Sequence, residues 1–325
     1  MKLLITGGAG FIGSNFVHYW LNTHPSDQLA VLDKLTYAGN KANLATVMDK
    51  IAFVEGDICD SAVVEQAMTG CDAVVHFAAE SHVDRSVLDP SVFVRSNVLG
   101  TQVLLDTARK LGNIRFHHVS TDEVYGSIDL DSDEVWTEAS PYNPRSPYSA
   151  SKAGSDHLAR AAFYTHQLPV TITNCANNIG PFMFPEKFLP LAITNLLDGK
   201  KVPIYGTGLQ VREWLWVDDH CRAIDLVLQQ GRAGETYFVG PNNPHLTNLD
   251  VIKKVLTKMG HSEEMLEFVT DRPGHDQKYA LDHSKITREL GWEPTVAFDE
   301  ALDKLITWYT DNRAWWEPLK AKAAL

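Results

Sequence analysis

Only four cysteines occur in 325 residues: Cys59, Cys71, Cys175 and Cys221. No two have the spacing of a metal-binding pair, so no metal site is expected and no disulfide framework is suggested. Basic residues are also scarce, 29 Lys and Arg against 41 Asp and Glu, for a formal charge of −12. A general nucleic-acid binder carries a basic stripe, so no nucleic-acid partner is expected; one phosphorylated small molecule needs only a few local cations. No apolar run approaches the roughly 20 residues of a membrane span, which argues against a membrane partner. Met1-Lys2 leads straight into an apolar strand, leaving no room for a targeting segment. The expectation is a cytoplasmic protein with reduced thiols. Internal repeats and low-complexity segments are lacking as well.

What remains is an ordinary globular composition, 44% hydrophobic and 22% charged, with enough chain for a large core and a second lobe. The first half alternates short apolar runs (Lys2–Thr6, Ala30–Leu32, Ile51–Val54, Ala73–Phe77, Arg115–Ser120, Val170–Asn174) with amphipathic stretches such as Gly13–Leu21 and Asn97–Leu111. That rhythm predicts βαβ units: an α/β fold with a Rossmann-type doubly wound parallel sheet. After Asn177 the pattern changes. Pro181, Pro185, Pro190 and Pro203 break the chain, a short aromatic strand feeds a helix around Arg212–Gln229, and helices are predicted at Leu249–Met259, capped by Thr247 or Asn248, and at Asp299–Trp308. The expected division is a dinucleotide-binding domain over 1–177, possibly with part of 212–240, and a smaller, mostly C-terminal α/β substrate-binding lobe over 178–325.

The run Gly7-Gly8-Ala9-Gly10-Phe11-Ile12-Gly13 follows one predicted strand and opens a helix. Glycines 7, 10 and 13 let the turn approach a pyrophosphate, with the helix N-terminus facing the anion. Asp33 ends the second strand about 20 residues on, where a carboxylate accepts hydrogen bonds from ribose hydroxyls and repels a 2′-phosphate; NAD is therefore expected rather than NADP. Asp57-Ile58 after the third strand suit the adenine end. Ala78-Ala79 after the fourth are small enough for the cofactor to cross the sheet edge.

Tyr148 and Lys152 are four residues apart, hence on one face of a helix. A phenol with a pKa of about 10 is a poor base at neutral pH; a neighbouring ammonium and a positive nicotinamide ring both favour the phenolate. Alone, Tyr-x-x-x-Lys is more readily a solvated helix face, but here it follows a dinucleotide fingerprint. Thr121, Asp122 and Glu123 sit at the carboxyl end of the fifth predicted strand, where open α/β sheets place ligands. Once a carbinol becomes a ketone, a carboxylate can remove the neighbouring C–H proton, and a second, protonated carboxyl can assist departure of a β-hydroxyl. Glu123 is expected as base and Asp122 as acid; in isolation the two read more readily as exposed turn acids.

These segments, together with Ala78 to Ser86, Ser120 to Gly126, Asn177-Asn178, Phe184 to Lys187 and Asp271 to Asp276, resemble the extended short-chain dehydrogenase/reductase family, and within it the nucleotide-sugar 4,6-dehydratases. The resemblance spans nearly the whole chain. It implies an NAD-dependent hydro-lyase acting on a hexose of a nucleoside diphosphate, with dTDP-glucose favoured. Tyr148 takes the C4 hydroxyl proton as hydride leaves C4, Glu123 takes the C5 proton, Asp122 protonates the departing C6 hydroxyl, and hydride returns to C6. Thr121 would hold the C4 oxygen. The resemblance adds Lys34, Thr36 and Ser81 beside the cofactor, with Ser81 also beside the sugar, and Asn177, Lys187, Arg212, Asn248 and Arg272 around the diphosphate. Tyr205 would offer an aromatic face to the base. It also implies a homodimer, with Asn97–Leu111 and Ser151–Tyr164 as interface elements. Ile179, where tyrosine is usual, and Lys278, where arginine is usual, depart from the family pattern in the substrate half. The competing readings are a dehydratase or 4-epimerase for UDP- or GDP-linked sugars, and a non-catalytic NAD sensor.

Overall fold

The computed structural model describes residues 1–242, 245–271 and 274–323. Seven parallel strands form one sheet: β1 (Lys2–Thr6), β2 (Gln28–Asp33), β3 (Ile51–Glu55), β4 (Ala73–His76), β5 (Arg115–Thr121), β6 (Val170–Cys175) and β7 (Thr236–Val239). Their order is β7-β6-β5-β4-β1-β2-β3, so the chain reverses direction between β1 and β4. The carboxyl ends of β1 and β4 therefore flank the crevice in which doubly wound sheets bind ligands. The sequence names no strand at 236–239; the structure adds one there, beside β6 in parallel register.

Burial on both faces explains the apolar strands. Leu4, Leu32, Val74, Phe116 and Ile172 face α2 (Ser61–Met68), α3 (Gly100–Lys110) and α4 (Pro147–His166). The alternate residues Leu3, Ile5, Val31 and Val75 face α1 (Phe11–Thr23) and α6 (Val217–Gln230), from which Phe16, Val17, Cys221 and Ile224 project. The helix expected over Asn97–Leu111 is regular only from Gly100, because Val94–Leu99 winds as a π turn. Tertiary bonding accounts for the departure: buried Asn97 spans to the Glu80 backbone and to Ser151.

A separate core gathers Leu189, Ile193, Val202, Ile204, Trp214, Val251, Val255, Leu302, Leu305, Tyr309 and Trp316. It is built from α5 (Phe188–Leu197), α7 (Asn248–Met259), α8 (Phe298–Asp311) and α9 (Arg313–Ala323), with short strand pairs such as Val202–Tyr205 against Leu266–Val269. Helix α7 starts from Thr247, whose side chain forms a capping box with Asp250. No helix among the described residues is long and apolar enough to cross a membrane.

Candidate active site

The turn after β1 is shaped by two steric limits. Gly7 sits at φ +72°, and a Cβ there would lie 2.6 Å from the Ala78 backbone nitrogen; at Gly13 a Cβ would lie 2.3 Å from the Gly7 carbonyl oxygen. The α1 N-terminus has Gly10 as N-cap, no side-chain cap and no acidic residue in its first turn. Its unpaired N–H groups and dipole are thus left for an anion. A Cβ at Gly10 would meet only the Gly7 carbonyl, at 3.3 Å, so the floor of the turn is open to a ligand. Asp33 is buried and takes the Ala9 N–H at 2.9 Å and the Leu35 N–H at 2.8 Å. Burial raises its pKa, and these two backbone donors act against the rise.

The turn opens into a cleft of about 320 Å³ that also takes in Phe11, Ile12, Asp33, Lys34, Thr36, Asp57, Ile58, Ala78, Ala79, Ser81, Thr121, Asp122, Glu123, Tyr148, Lys152, Asn177 and Lys187. Residues from six strand ends and from α4 thus converge on one space. Lys34 is paired with Asp57 at 2.8 Å at its rim.

Tyr148 and Lys152 belong to the first two turns of α4, which starts with a Ser146–Ser149 capping box and Pro147 in its first turn. Both side chains are buried, and the Lys152 Nζ donates to the Val119 carbonyl at 2.9 Å. Burial pushes the Tyr148 phenol well up, reinforced by Glu123, Cys175 and Asp122, while a hydrogen bond with Thr121 works the other way. Burial and the facing acids thus act against the phenolate that Tyr148 needs as a base.

Thr121 closes β5 and caps the next turn, accepting the Glu123 N–H at 3.2 Å. Asp122 is 1% exposed, with Oδ1 accepting from the Thr121 hydroxyl at 3.1 Å and Oδ2 without a partner among the described residues. Burial, Glu123 and Glu213 push its carboxyl well above the usual range, which favours its protonated form. Glu123 beside it is only half-buried. One buried carboxyl with a raised pKa and one more exposed carboxyl next to a tyrosine are suited to proton donation and proton abstraction on neighbouring atoms.

Beneath Lys152 lies a second buried carboxyl, Asp156. His118 Nε2 is 3.0 Å from Oδ1, and the Tyr142 hydroxyl and Asn174 Nδ2 donate to Oδ2 at 2.9 and 3.1 Å. Burial works to raise this pKa, but the His118 contact, the Lys152 charge and Ser120 outweigh it and hold the group below the carboxylate range.

The substrate-side residues separate into two groups. Asn177 and Lys187 line the cleft; Asn177 Oδ1 is buried without a partner among the described residues, and Lys187 donates to the Ser81 carbonyl at 3.2 Å. Arg212, Tyr205 and Asn248 are not among the residues gathered around that cleft. The Arg212 guanidinium donates to the Val211, Gln277 and Asp276 carbonyls and lies 4.1 Å from the Tyr279 ring centre. Tyr205 is exposed, edge-on to His275. Asn248 opens α7, with a buried Oδ1 that lacks a partner among the described residues. Arg272 lies outside the described residues. Of the two departures, Ile179 is fully buried in the core of the C-terminal half, and Lys278 is buried with its ammonium 2.7 Å from the Ser132 carbonyl.

Sequence reasoning missed three residues. Tyr37 lines the cleft with the Arg85 guanidinium 4.2 Å from its ring centre. Glu80 also lines it, buried, its carboxyl raised by burial and partly restored by Thr36. Glu213 is buried, accepts the Leu281 N–H at 3.0 Å and has its pKa pushed up to about 8 by burial. Tyr37 and Glu80 flank residues the spacing did find; nothing in the spacing marks Glu213.

Comparison with known proteins fits this geometry. The family model described as GDP-mannose 4,6 dehydratase matches residues 4–305. A dTDP-glucose 4,6-dehydratase of Streptomyces niveus is 53% identical over 99% of this chain and 96% of its own, and one of Mycobacterium tuberculosis is 49% identical over 98% and 96%. A Streptomyces venezuelae dTDP-glucose 4,6-dehydratase, crystallised with NAD, superposes with a TM-score of 0.95 at 54% identity, covering 98% of this chain and 100% of that one. A UDP-glucose 4-epimerase of Thermotoga maritima superposes nearly as well, TM-score 0.89, at only 28% identity over 96% and 100%. Fold alone does not separate dehydration from epimerisation; the residues after β5 have to.

Proposed function

The chain belongs to the dTDP-glucose 4,6-dehydratase family, and from that premise we propose that it converts dTDP-glucose to dTDP-4-keto-6-deoxyglucose and water. The observation that carries this reading is Asp122, a buried carboxyl set between Thr121 and Glu123 in the same cleft as Tyr148, its proton favoured by burial and by the neighbouring carboxylates. An oxidation or epimerisation at C4 has no need of it.

The cleft fits NAD: an uncapped helix N-terminus for the pyrophosphate, Asp33 with Lys34 and Thr36 for the adenosine ribose, Asp57 and Ile58 at the adenine end, and Ala78, Ala79 and Ser81 along the crossing. When bound, NAD supplies a hydride acceptor for C4 and later the donor to C6, and its positive ring favours the Tyr148 phenolate. Tyr148 takes the C4 hydroxyl proton, with Thr121 holding that oxygen and Lys152 holding the nicotinamide ribose. Glu123 removes the C5 proton, made acidic by the C4 ketone. Asp122 gives its proton to the C6 hydroxyl, which leaves as water, and Glu123 returns a proton to C5. No net redox change results. Asn177 and Lys187 are the groups best placed for the diphosphate, with Arg212, Asn248, Tyr205 and Arg272 assigned by family resemblance alone.

The division into a cofactor part, 1–177 with part of 212–240, and a substrate part, 178–325, belongs to the same reading. So does a cytoplasmic location. A homodimer is supported by exposed apolar residues at Val87, Leu88, Val92, Val94 and Leu99, of which Val92, Val94 and Leu99 line one open groove with Leu158 of α4. Sedimentation should give twice the 36.2 kDa chain mass.

The deciding experiment incubates the purified protein with dTDP-glucose, adding no NAD, and follows the sugar by mass spectrometry and NMR. Loss of one water with a keto carbon at C4 and a methyl at C6 is expected. Turnover of UDP- or GDP-sugars instead would move the assignment to another nucleotide, and C4 epimerisation without water loss would overturn it.

A further inference from the structure

The C-terminal helix α9 reaches the glycine turn through two hydrogen bonds. Trp315 Nε1 donates to Asn43 Oδ1 at 2.9 Å, and Asn43 Nδ2 donates to the Ala9 carbonyl at 2.9 Å. Indole N–H is a donor only and a backbone carbonyl an acceptor only, so the orientation of the Asn43 amide follows from its partners. The Asn43 carbonyl is 2.8 Å from His18 Nε2, which ties the same loop to α1. Ala9 stands between the glycines of the turn, and its N–H is held by Asp33.

Trp315 also meets the opposite wall. Phe182 lines the cleft and adopts φ +65°, a left-handed conformation that costs a residue with a Cβ roughly 1–2 kcal/mol. Such a conformation persists where neighbours over-determine it. Here the Phe182 ring stacks on His18 at 5.9 Å between centroids and receives Trp308 at 5.3 Å and Trp315 at 5.9 Å edge-on, while the preceding Pro181 carbonyl accepts from Asn15. Trp308 and Trp315 are themselves edge-to-face at 4.9 Å. One indole thus braces both the turn under the pyrophosphate position and the strained residue across from it.

We infer that Trp315, acting through Asn43 and Phe182, is a positioning residue for the cofactor, so that α9 sets how slowly NAD leaves. The inference rests on the cleft being the NAD site. Holding the Ala9 carbonyl and Phe182 fixed reduces the ordering that the ligand must impose, and preorganisation of this kind appears in the dissociation rate.

The neighbouring Trp316 supplies the control. It is fully buried in the same helix and donates to the Tyr309 carbonyl at 2.7 Å, within the core of the C-terminal half. Wild type, Trp315→Phe, Trp315→Ala and Trp316→Phe would be purified with bound NAD, and its release followed after rapid dilution, alongside thermal unfolding. Trp315→Phe keeps the aromatic contact with Phe182 and loses the bond to Asn43; release about 3- to 10-fold faster is expected from the net worth of one hydrogen bond. Trp315→Ala should release faster still. Trp316→Phe should lower the melting temperature and leave release unchanged. For the Trp315 variants, kcat at saturating added NAD should stay within about twofold of wild type, the loss appearing in apparent NAD affinity. Unchanged release in a folded Trp315→Phe overturns the inference, as does equal acceleration by Trp316→Phe, which would make α9 a general stabiliser. A wild type that neither retains nor rebinds NAD would instead defeat the reading of the cleft.

Discussion

Two buried aspartates, one just after β5 and one on α4, have surroundings that drive them in opposite directions. Asp122, lining the cleft, has one hydroxyl donor and faces Glu123 and Glu213, and its pKa is driven up. Asp156, one layer deeper, receives Tyr142 and Asn174, contacts His118 and lies near the Lys152 charge; it stays ionised. Burial is the same for both. The supply of donors decides, and the protein thereby keeps an acid where a leaving hydroxyl must be protonated and an anion where an ammonium must be kept charged.

The largest effect comes from breaking the acid side. Glu123→Gln and Asp122→Asn should each lower the rate of water loss by about 10²–10⁴-fold, the usual range for a positioned proton-transfer group. In Glu123→Gln the C4 oxidation should survive, seen as reduced nicotinamide building up while no methyl forms at C6. Normal dehydration by that variant would remove the elimination pair from the mechanism.

The next largest effect should fall on stability, from the anion side. Asp156→Asn removes the charge near Lys152 and replaces a carboxylate that contacts His118 and accepts from Tyr142 and Asn174, leaving a buried partner unsatisfied at a cost of about 1–3 kcal/mol. Because the folded carboxyl is depressed, its contribution is present above the unfolded value of about 3.9 and fades as pH falls through the lower folded value. Urea melts of variant and wild type should therefore differ strongly at pH 7 and converge in acid. Asp122→Asn should behave oppositely. Its folded pKa is raised, so wild-type stability falls as pH climbs from the unfolded value toward the folded one. The variant escapes that loss and should melt higher than wild type at pH 8, with the difference vanishing below pH about 4.

This contrast also marks where the sequence could be read. Gly7, Gly13, Asp33, Tyr148 and Lys152 act through local geometry, either a turn, a strand end or one helical face, and spacing exposes them. Thr121 to Glu123 are legible for the same reason, being three consecutive residues at a strand end. For protonation, spacing suggests only Asp122 as the acid of the pair. Asp156 is i+4 from Lys152 on the same helix, yet its state depends on His118 from β5, Asn174 from β6 and Tyr142 from a loop. Glu213 is invisible for the same reason, since only the fold brings it near Asp122. The C-terminal half suffers most, because Arg212 and Lys278 spend their donors on backbone carbonyls that no spacing rule predicts.

Lys278 gives the smallest effect and the finest test of the comparison. From sequence, lysine in place of arginine suggests a weakened diphosphate contact. In the structure the ammonium is committed to the Ser132 carbonyl, and its charge lowers the raised Glu213 carboxyl. Lys278→Arg should therefore change KM for dTDP-glucose by less than about threefold, while overpacking of a buried site costs about 1–3 kcal/mol of stability. Lys278→Met removes the charge and lets Glu213 rise further, so Glu213 is neutral over a wider pH range. Asp122 then feels less negative charge, its own pKa falls, and the alkaline limb of the kcat profile should move to lower pH. A tenfold rise in KM for Lys278→Met with an unshifted profile would place this lysine on the substrate instead and detach it from the buried carboxyls.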